Sequence, residues 1–354
     1  MSTFSVTAEP LTIHPHDNAD ALELAQVGLY RAVVAKGAYR TGDYAVYIPE
    51  AAVLPAPLIA ELGLTGKLAG ANHDRVKAVR LRGELSQGIV CRPAAVAGED
   101  LEAHHRAGTD FADLLGITKY VPSIPTHMAG EMTAASDLIR WVEVENIRRY
   151  PDMFTPGEPV VATEKIHGTA CLTTVTAAGA AHVTSKGFGH QHLAIVESDS
   201  NLYWRAVRAH AVAEVAADLV AKFSASRVGI FGEVFGKGVQ DLGYGADAGR
   251  VPGYAAFDIA VETPGDGLVW LAPAEVADLL DGRLPMVPTL YAGPYDEAAL
   301  IALADGTTVL GDGTHIREGI VVRPAARRES VSSRMIGKLV SPAYLTRKGG
   351  TEYE

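Results

Sequence analysis

The sequence predicts an α+β chain in two parts, a small β-barrel followed by a larger mixed part. Three observations carry that expectation. The chain has 354 residues, enough for two hydrophobic cores. Its first third breaks into short β-branched and aromatic stretches punctuated by glycine turns. After residue 200, apolar positions at helical spacing stand among extended apolar segments.

The barrel is read from residues 1–120. Strands are expected at 29–35 and 44–48, separated by the turn-like Lys36-Gly37 and Thr41-Gly42-Asp43. Residues 76–82 alternate imperfectly, as strands of a small curled barrel do, and Gly83 leads into another strand at 87–91. Several short strands with glycine turns and few helices point to an OB-type barrel. Residues 121–136, with Pro122, Pro125 and Gly130, read as a linker. The second part spans 137–354. One helix is clear in it, with Val212, Val215, Ala216, Leu219, Val220 and Phe223 on its apolar positions. Strands are expected at 228–235, 254–261 and 319–323.

Composition narrows the function classes. With 48% hydrophobic and 21% charged residues the chain reads as a soluble enzyme. Neither a basic leader nor a long apolar run is present, so no signal peptide or membrane span is expected. Cys91 and Cys171 lie far apart, which excludes a disulfide framework or a cysteine zinc site and suggests the cytoplasm. The histidines His14, His16, His104 and His105 have no metal-ligand spacing. A net charge of −11 argues by itself against nucleic-acid binding. The positive charge is concentrated, however. Arg75, Lys77, Arg80, Arg82 and Arg92 face one acid, Glu84. Arg317, Arg323, Arg327, Arg328, Arg334, Lys338, Arg347 and Lys348 face two, Glu318 and Glu329. Such tracks suit local gripping of a phosphate backbone.

Five positions carry the chemistry. Lys165 follows an apolar strand, and Gly168 lets the chain turn so that the amine reaches a pocket edge. A lysine attacks only when neutral, so its usual pKa of about 10.4 should be lowered there. Glu233 stands inside an apolar strand, where a ribose hydroxyl, a metal or a salt bridge to a core arginine would satisfy it. Phe257 offers a ring for stacking on a purine or for the core. Glu318 opens a strand and suits a divalent cation, and Lys338 is a late cation.

In this order the residues resemble the covalent nucleotidyltransferase superfamily of ATP-dependent ligases and capping enzymes. The lysine motif is Lys165-Ile166-His167-Gly168, and a second short motif is Thr184-Ser185-Lys186-Gly187. The resemblance implies that Lys165 is the catalytic nucleophile. It places Glu164, Ile166, His167, Gly168, Lys186, Glu233, Phe257 and Lys338 around ATP or AMP, and Glu318 on Mg2+ or Mn2+. Lys186, Lys338 and Arg323 are the implied phosphate contacts. Two positions depart from the pattern: His167 stands where Asp is usual, and Val340 where a second lysine is usual.

The segments from Gly42, Val79 and Phe231 are similar to the bacterial nick-sealing RNA ligases, which carry an N-terminal OB domain. This implies an OB-type barrel followed by an adenylyltransferase domain of antiparallel sheets flanked by helices. It also implies a monomeric repair enzyme that joins 3′-hydroxyl to 5′-phosphate ends at RNA or RNA/DNA hybrid nicks, through lysyl-AMP and an adenylylated 5′ end. Arg80 and Arg82 would contact the nucleic acid. DNA ligases and capping enzymes usually place the barrel after the late lysine, where sixteen residues remain here. A non-catalytic OB-type binder with a degenerate second domain is the reading from another class. It would be expected to have lost the nucleophile and buried carboxylates, which are present.

Overall fold

The computed structural model describes residues 4–126, 128–141, 143–311, 313–327 and 335–351. Arg328, Glu329 and Arg334 of the second basic track lie outside the described residues. The chain divides into two compact units. The first comprises the chain through Val121 with Glu145–Asp152 and Leu345–Arg347, and the second comprises Pro122–Val144, Met153–Tyr344 and the chain from Lys348.

In the first unit, Tyr44–Ile48 lies antiparallel between Thr7–Pro10 and Ile89–Cys91. A second antiparallel sheet runs Thr12–Pro15, Leu22–Val27, Tyr30–Ala35. Tyr30, Ala32 and Val34 are buried while Arg31 and Ala35 are exposed, the two-residue alternation of a sheet with one covered face. The strand expected at 76–82 is shorter. Val79–Leu81 pairs with Glu84–Ser86 through Arg82 (φ 52°) and Gly83 (φ 94°), and successive left-handed residues suit a tight hairpin. All three residues of Val79–Leu81 are exposed. The backbone of Val76 instead bonds to Ala51 and Ala52, and the strand begins only at Val79.

The second unit holds two antiparallel sheets. The larger runs Met132–Ala134, Leu193–Ile195, Ala181–Ser185, Thr169–Thr176, Arg227–Phe235, Gly253–Thr263, Gly267–Trp270. The other runs, within this unit, Gly337–Val340, Gly319–Pro324, Pro159–Lys165, Thr289–Pro294. The helix Val212–Phe223 buries Val212, Val215, Ala216 and Leu219 against the larger sheet, as its periodicity requires. A second helix, Leu202–Ala209, was not expected. Asn201 caps it by accepting from the Tyr203 and Trp204 N–H groups, and Ala211 (φ 54°) breaks it from its neighbour.

The linker reading of 121–136 is corrected. Met132–Ala134 is an edge strand and Met128 is fully buried in the second unit's core. Proline and glycine content resembled a linker because edge strands and buried loops use the same residues. Both cysteines are buried and free. No helix among the described residues is long and apolar enough to cross a membrane.

Candidate active site

Strand pairing assembles one side of the site. Lys165 ends Pro159–Lys165 and pairs with Gly319, while Val321 pairs with Lys338 on the next strand. Glu318, one residue before its strand, therefore meets Lys165 across 153 positions of sequence. Its Oε1 accepts from the lysine amine at 2.6 Å. The other oxygen of Glu318 is buried and has no hydrogen-bond partner among the described residues.

The chain then crosses to the larger sheet within four residues. Gly168 sits so close to Arg227–Phe235 that a Cβ there would lie 2.3 Å from the Val234 carbonyl oxygen and 2.9 Å from Glu233 Cγ. Only glycine permits that approach. It lets the Gly168 N–H donate to the Glu233 carboxyl. Phe257 occupies a register shift, because Phe231 pairs with Asp258 and Gly232 with Ala256. A bulge re-aims the side chain of the extra residue. The Phe257 ring stays partly buried, 6.4 Å from Trp141 and 6.5 Å from Phe231.

Lys186 follows Ala181–Ser185 and pairs with Glu143 at 2.9 Å, and His190 approaches the same carboxylate at 3.2 Å. Burial works to raise Glu143, but Lys186, Lys338 and His190 hold it below the usual carboxylate range. Burial pushes the Lys338 amine down to about 8, assisted by the positive charges of Lys186 and Lys165. Burial pushes the Glu233 carboxyl up to about 8, with Glu318 adding to the effect and Lys165 opposing it.

Lys165 itself departs from expectation. Burial favours its neutral form, but the charges of Glu318 and Glu233 and the Glu318 hydrogen bond outweigh that, and its pKa is raised. Glu318 is the larger of the two influences, its Oε1 lying 2.6 Å from the amine. The expected low pKa reckoned with burial and neighbouring cations but not with a carboxylate brought in from residue 318.

Other sequence candidates have structural duties. The Glu164 carboxylate is 1% exposed and accepts from the Thr308 hydroxyl and, at 2.9 Å, from the Val309 N–H, so it anchors that segment. Ile166 packs in an apolar cluster with Phe235, Leu242 and Tyr344. Arg323 binds the Phe257 carbonyl and lies 3.6 Å from Asp258. Arg317 donates to the Leu303 and Thr307 carbonyls, and Arg327 pairs with Glu275. Three members of the second basic track thus serve internal bonds. In the first unit Arg80 is exposed and donates to the nearby Gly83 carbonyl, and Arg82 is exposed on the same hairpin. Glu143, Asp241 and Tyr344 were missed, since nothing local to them signals partners 43 to 177 residues away.

The RNA ligase family matches residues 158–340, just over half of the chain, and an OB-fold domain matches residues 7–93. No curated protein matches the chain by sequence. Among solved structures, Naegleria gruberi RNA ligase with PPi aligns at a TM-score of 0.77 and 22% identity, covering 97% of this chain and 98% of that one. A mutant of the same protein with AMP and Mn gives 0.78 and 22%, covering 96% and 97%. A further mutant, with ATP and Mn, gives 0.77 and 22%, covering 96% and 98%. The architecture is accordingly an OB-fold followed by a sheet-rich domain with flanking helices. The matched span holds Lys165, Glu233 and Lys338 on its two sheets and Glu318 just before a strand. Because the family match covers more than half of the chain, the chain belongs to the RNA ligase family.

Proposed function

We propose that this RNA ligase uses ATP to seal 3′-hydroxyl and 5′-phosphate ends at nicks in duplexes, through AMP carried on Lys165. The observation that carries the reading is the meeting of Lys165 with Glu318, beside Glu233 and Lys338, at the junction of the two sheets. The ATP and Mn held by the Naegleria gruberi enzyme support the choice of cosubstrate and ion.

In the first step the Lys165 nitrogen attacks the α-phosphorus of ATP. A P–N bond forms, the bond to the bridging oxygen breaks, and pyrophosphate leaves. A 5′-phosphate oxygen then takes the AMP from the lysine. Finally a 3′-hydroxyl attacks the activated phosphate and AMP departs. Each transfer concentrates negative charge, so fixed cations carry much of the stabilisation. Lys186 and Lys338 supply them, Glu233 receives the ribose, and Phe257 stacks on the base.

The residues present fit a divalent cation. Glu318 offers a buried oxygen without a partner, although no three acidic, histidine or cysteine side chains cluster among the described residues. Magnesium suits such a site, since it takes one or two carboxylates and completes its shell with water and phosphate oxygens. Held there, Mg2+ or Mn2+ would offset the α-phosphate charge and favour the neutral amine of Lys165. We assign residues 1–120 to nucleic-acid binding, with Arg80 and Arg82 gripping the backbone, and 137–354 to catalysis.

The test incubates the protein with α-labelled ATP and a divalent metal, beside Lys165→Ala. Label that survives denaturation on the wild type but not on the variant is expected. A wild type that takes no label, from ATP or GTP, refutes the reading.

A further inference from the structure

The turn after Lys165 is held by a network apart from the charged cluster. The His167 ring is 5% exposed, with Nε2 2.8 Å from Asp241 Oδ1 and Nδ1 2.8 Å from the Tyr344 hydroxyl. A carboxylate only accepts, which assigns a proton to Nε2, and in the neutral ring Nδ1 then accepts from the Tyr344 hydroxyl. The His167 backbone N–H donates to the Tyr244 hydroxyl at 2.7 Å. The next carbonyl, of Gly168, accepts from Gln240 Nε2 at 3.1 Å.

Gln240 and Asp241 are themselves gripped by Thr351. The Asp241 N–H donates to the Thr351 hydroxyl oxygen and the Thr351 N–H donates to Asp241 Oδ1, each at 2.8 Å. The single Thr351 hydroxyl proton has two acceptors within reach, Gln240 Oε1 at 2.8 Å and Asp241 Oδ1 at 2.9 Å. The approach to Oε1 agrees with the amide orientation in which the Gln240 NH2 group faces the Gly168 carbonyl. One threonine therefore touches both handles on the turn, through Asp241 to His167 and through Gln240 to Gly168.

The same arrangement accounts for histidine at 167. An aspartate there would bring a second carboxylate toward Asp241, and like charges in a buried site repel. His167 and Asp241 are a matched pair.

We propose that Thr351, Gln240, Asp241 and His167 form a clamp that positions the Lys165–Gly168 turn, with His167 acting through its own backbone and not on the nucleotide. The proposal rests on the reading of Lys165 as the AMP carrier. Misplacing a reacting group by about 1 Å can cost about 100-fold in rate while leaving binding largely intact. The clamp should therefore govern the rate of AMP transfer to Lys165 more than the affinity for ATP.

The experiment measures single-turnover labelling across ATP concentrations for wild type, Thr351→Val, His167→Asp and the double variant His167→Asp with Asp241→Asn. Thr351→Val should slow the saturating rate about tenfold, with ATP affinity within about threefold of wild type. His167→Asp should lose about 100-fold, and Asp241→Asn should restore at least about tenfold of that by removing the repulsion. Wild-type rates for Thr351→Val and His167→Asp, or losses confined to ATP affinity, overturn the clamp.

Amide exchange provides a readout independent of activity. In Thr351→Val, residues 165–169 should exchange at least about tenfold faster while the helix Val212–Phe223 keeps its protection. Unchanged exchange at 165–169, or loss spread evenly over both, counts against the clamp. A wild type that takes no label refutes only the AMP-carrier reading, and exchange still decides the clamp.

Discussion

Glu318 holds the Lys165 amine at 2.6 Å while its own second oxygen is buried without a hydrogen-bond partner among the described residues. One carboxylate thereby favours the charged form of the Lys165 amine and keeps a second oxygen for another partner. If Lys165 carries AMP as proposed, loading requires that the ion pair loosen, and a divalent cation competing for Glu318 would be the simplest means.

That relationship separates the lysines chemically. In metal-free protein at pH 8, Lys165 should remain protonated, since its pKa is raised, while Lys338, lowered to about 8, is about half neutral. Brief acylation followed by peptide mass mapping should modify Lys338 before Lys165. The reverse order would contradict the ion pair.

Lys338 should cost stability. An amine whose pKa falls on folding is penalised fully below about 8, and the penalty fades as pH rises toward its unfolded value near 10.5. Lys338→Met should then stabilise the protein by roughly 1–3 kcal/mol at pH 7, at about 1.4 kcal/mol per pKa unit with allowance for relaxation. The advantage should shrink between pH 8 and 10.5. AMP loading should nevertheless fall at least tenfold, to about a tenth or less. Paired thermal melts and labelling assays check both.

Glu233 titrates in the opposite sense. Its carboxyl is raised to about 8, so its stabilising contribution is complete below the unfolded value near 4.5 and is lost as pH rises through 8. Melts of Glu233→Gln and wild type should coincide near pH 4.5. By pH 9 the variant should melt higher. A constant gap across that range would show that the amide acts through shape alone.

Gly168→Ala should be severe because its Cβ would strike the Val234 carbonyl oxygen at 2.3 Å. Backbone cannot yield as a side-chain tip can, so a loss of about 1–3 kcal/mol is expected from overpacking. AMP loading should fall too, as the turn shifts. Denaturant titration supplies the first number.

Arg80→Glu with Arg82→Glu changes exposed residues of the first unit. Nick sealing should drop at least about tenfold, and its salt dependence should flatten by about one unit of log–log slope for each phosphate no longer neutralised. AMP loading of Lys165 should stay within about twofold. Unchanged sealing would remove the hairpin from the nucleic-acid interface.

The strand positions near Tyr30, Tyr44, Val228 and Tyr254 were legible in the sequence, as was the order of Lys165, Glu233, Phe257, Glu318 and Lys338. Those follow from side-chain period and residue chemistry, which are local. It took the folded chain to establish that Glu318 charges Lys165, that Arg323 serves Asp258, and that Glu143 binds Lys186. The reach of Thr351 to the turn at His167 belongs with them. Each depends on which strands pair and in what register, and that is set by the burial of whole sheets. A pairing energy spread over so many residues leaves no mark on any one of them, so a charge 153 positions away is invisible until the sheets close.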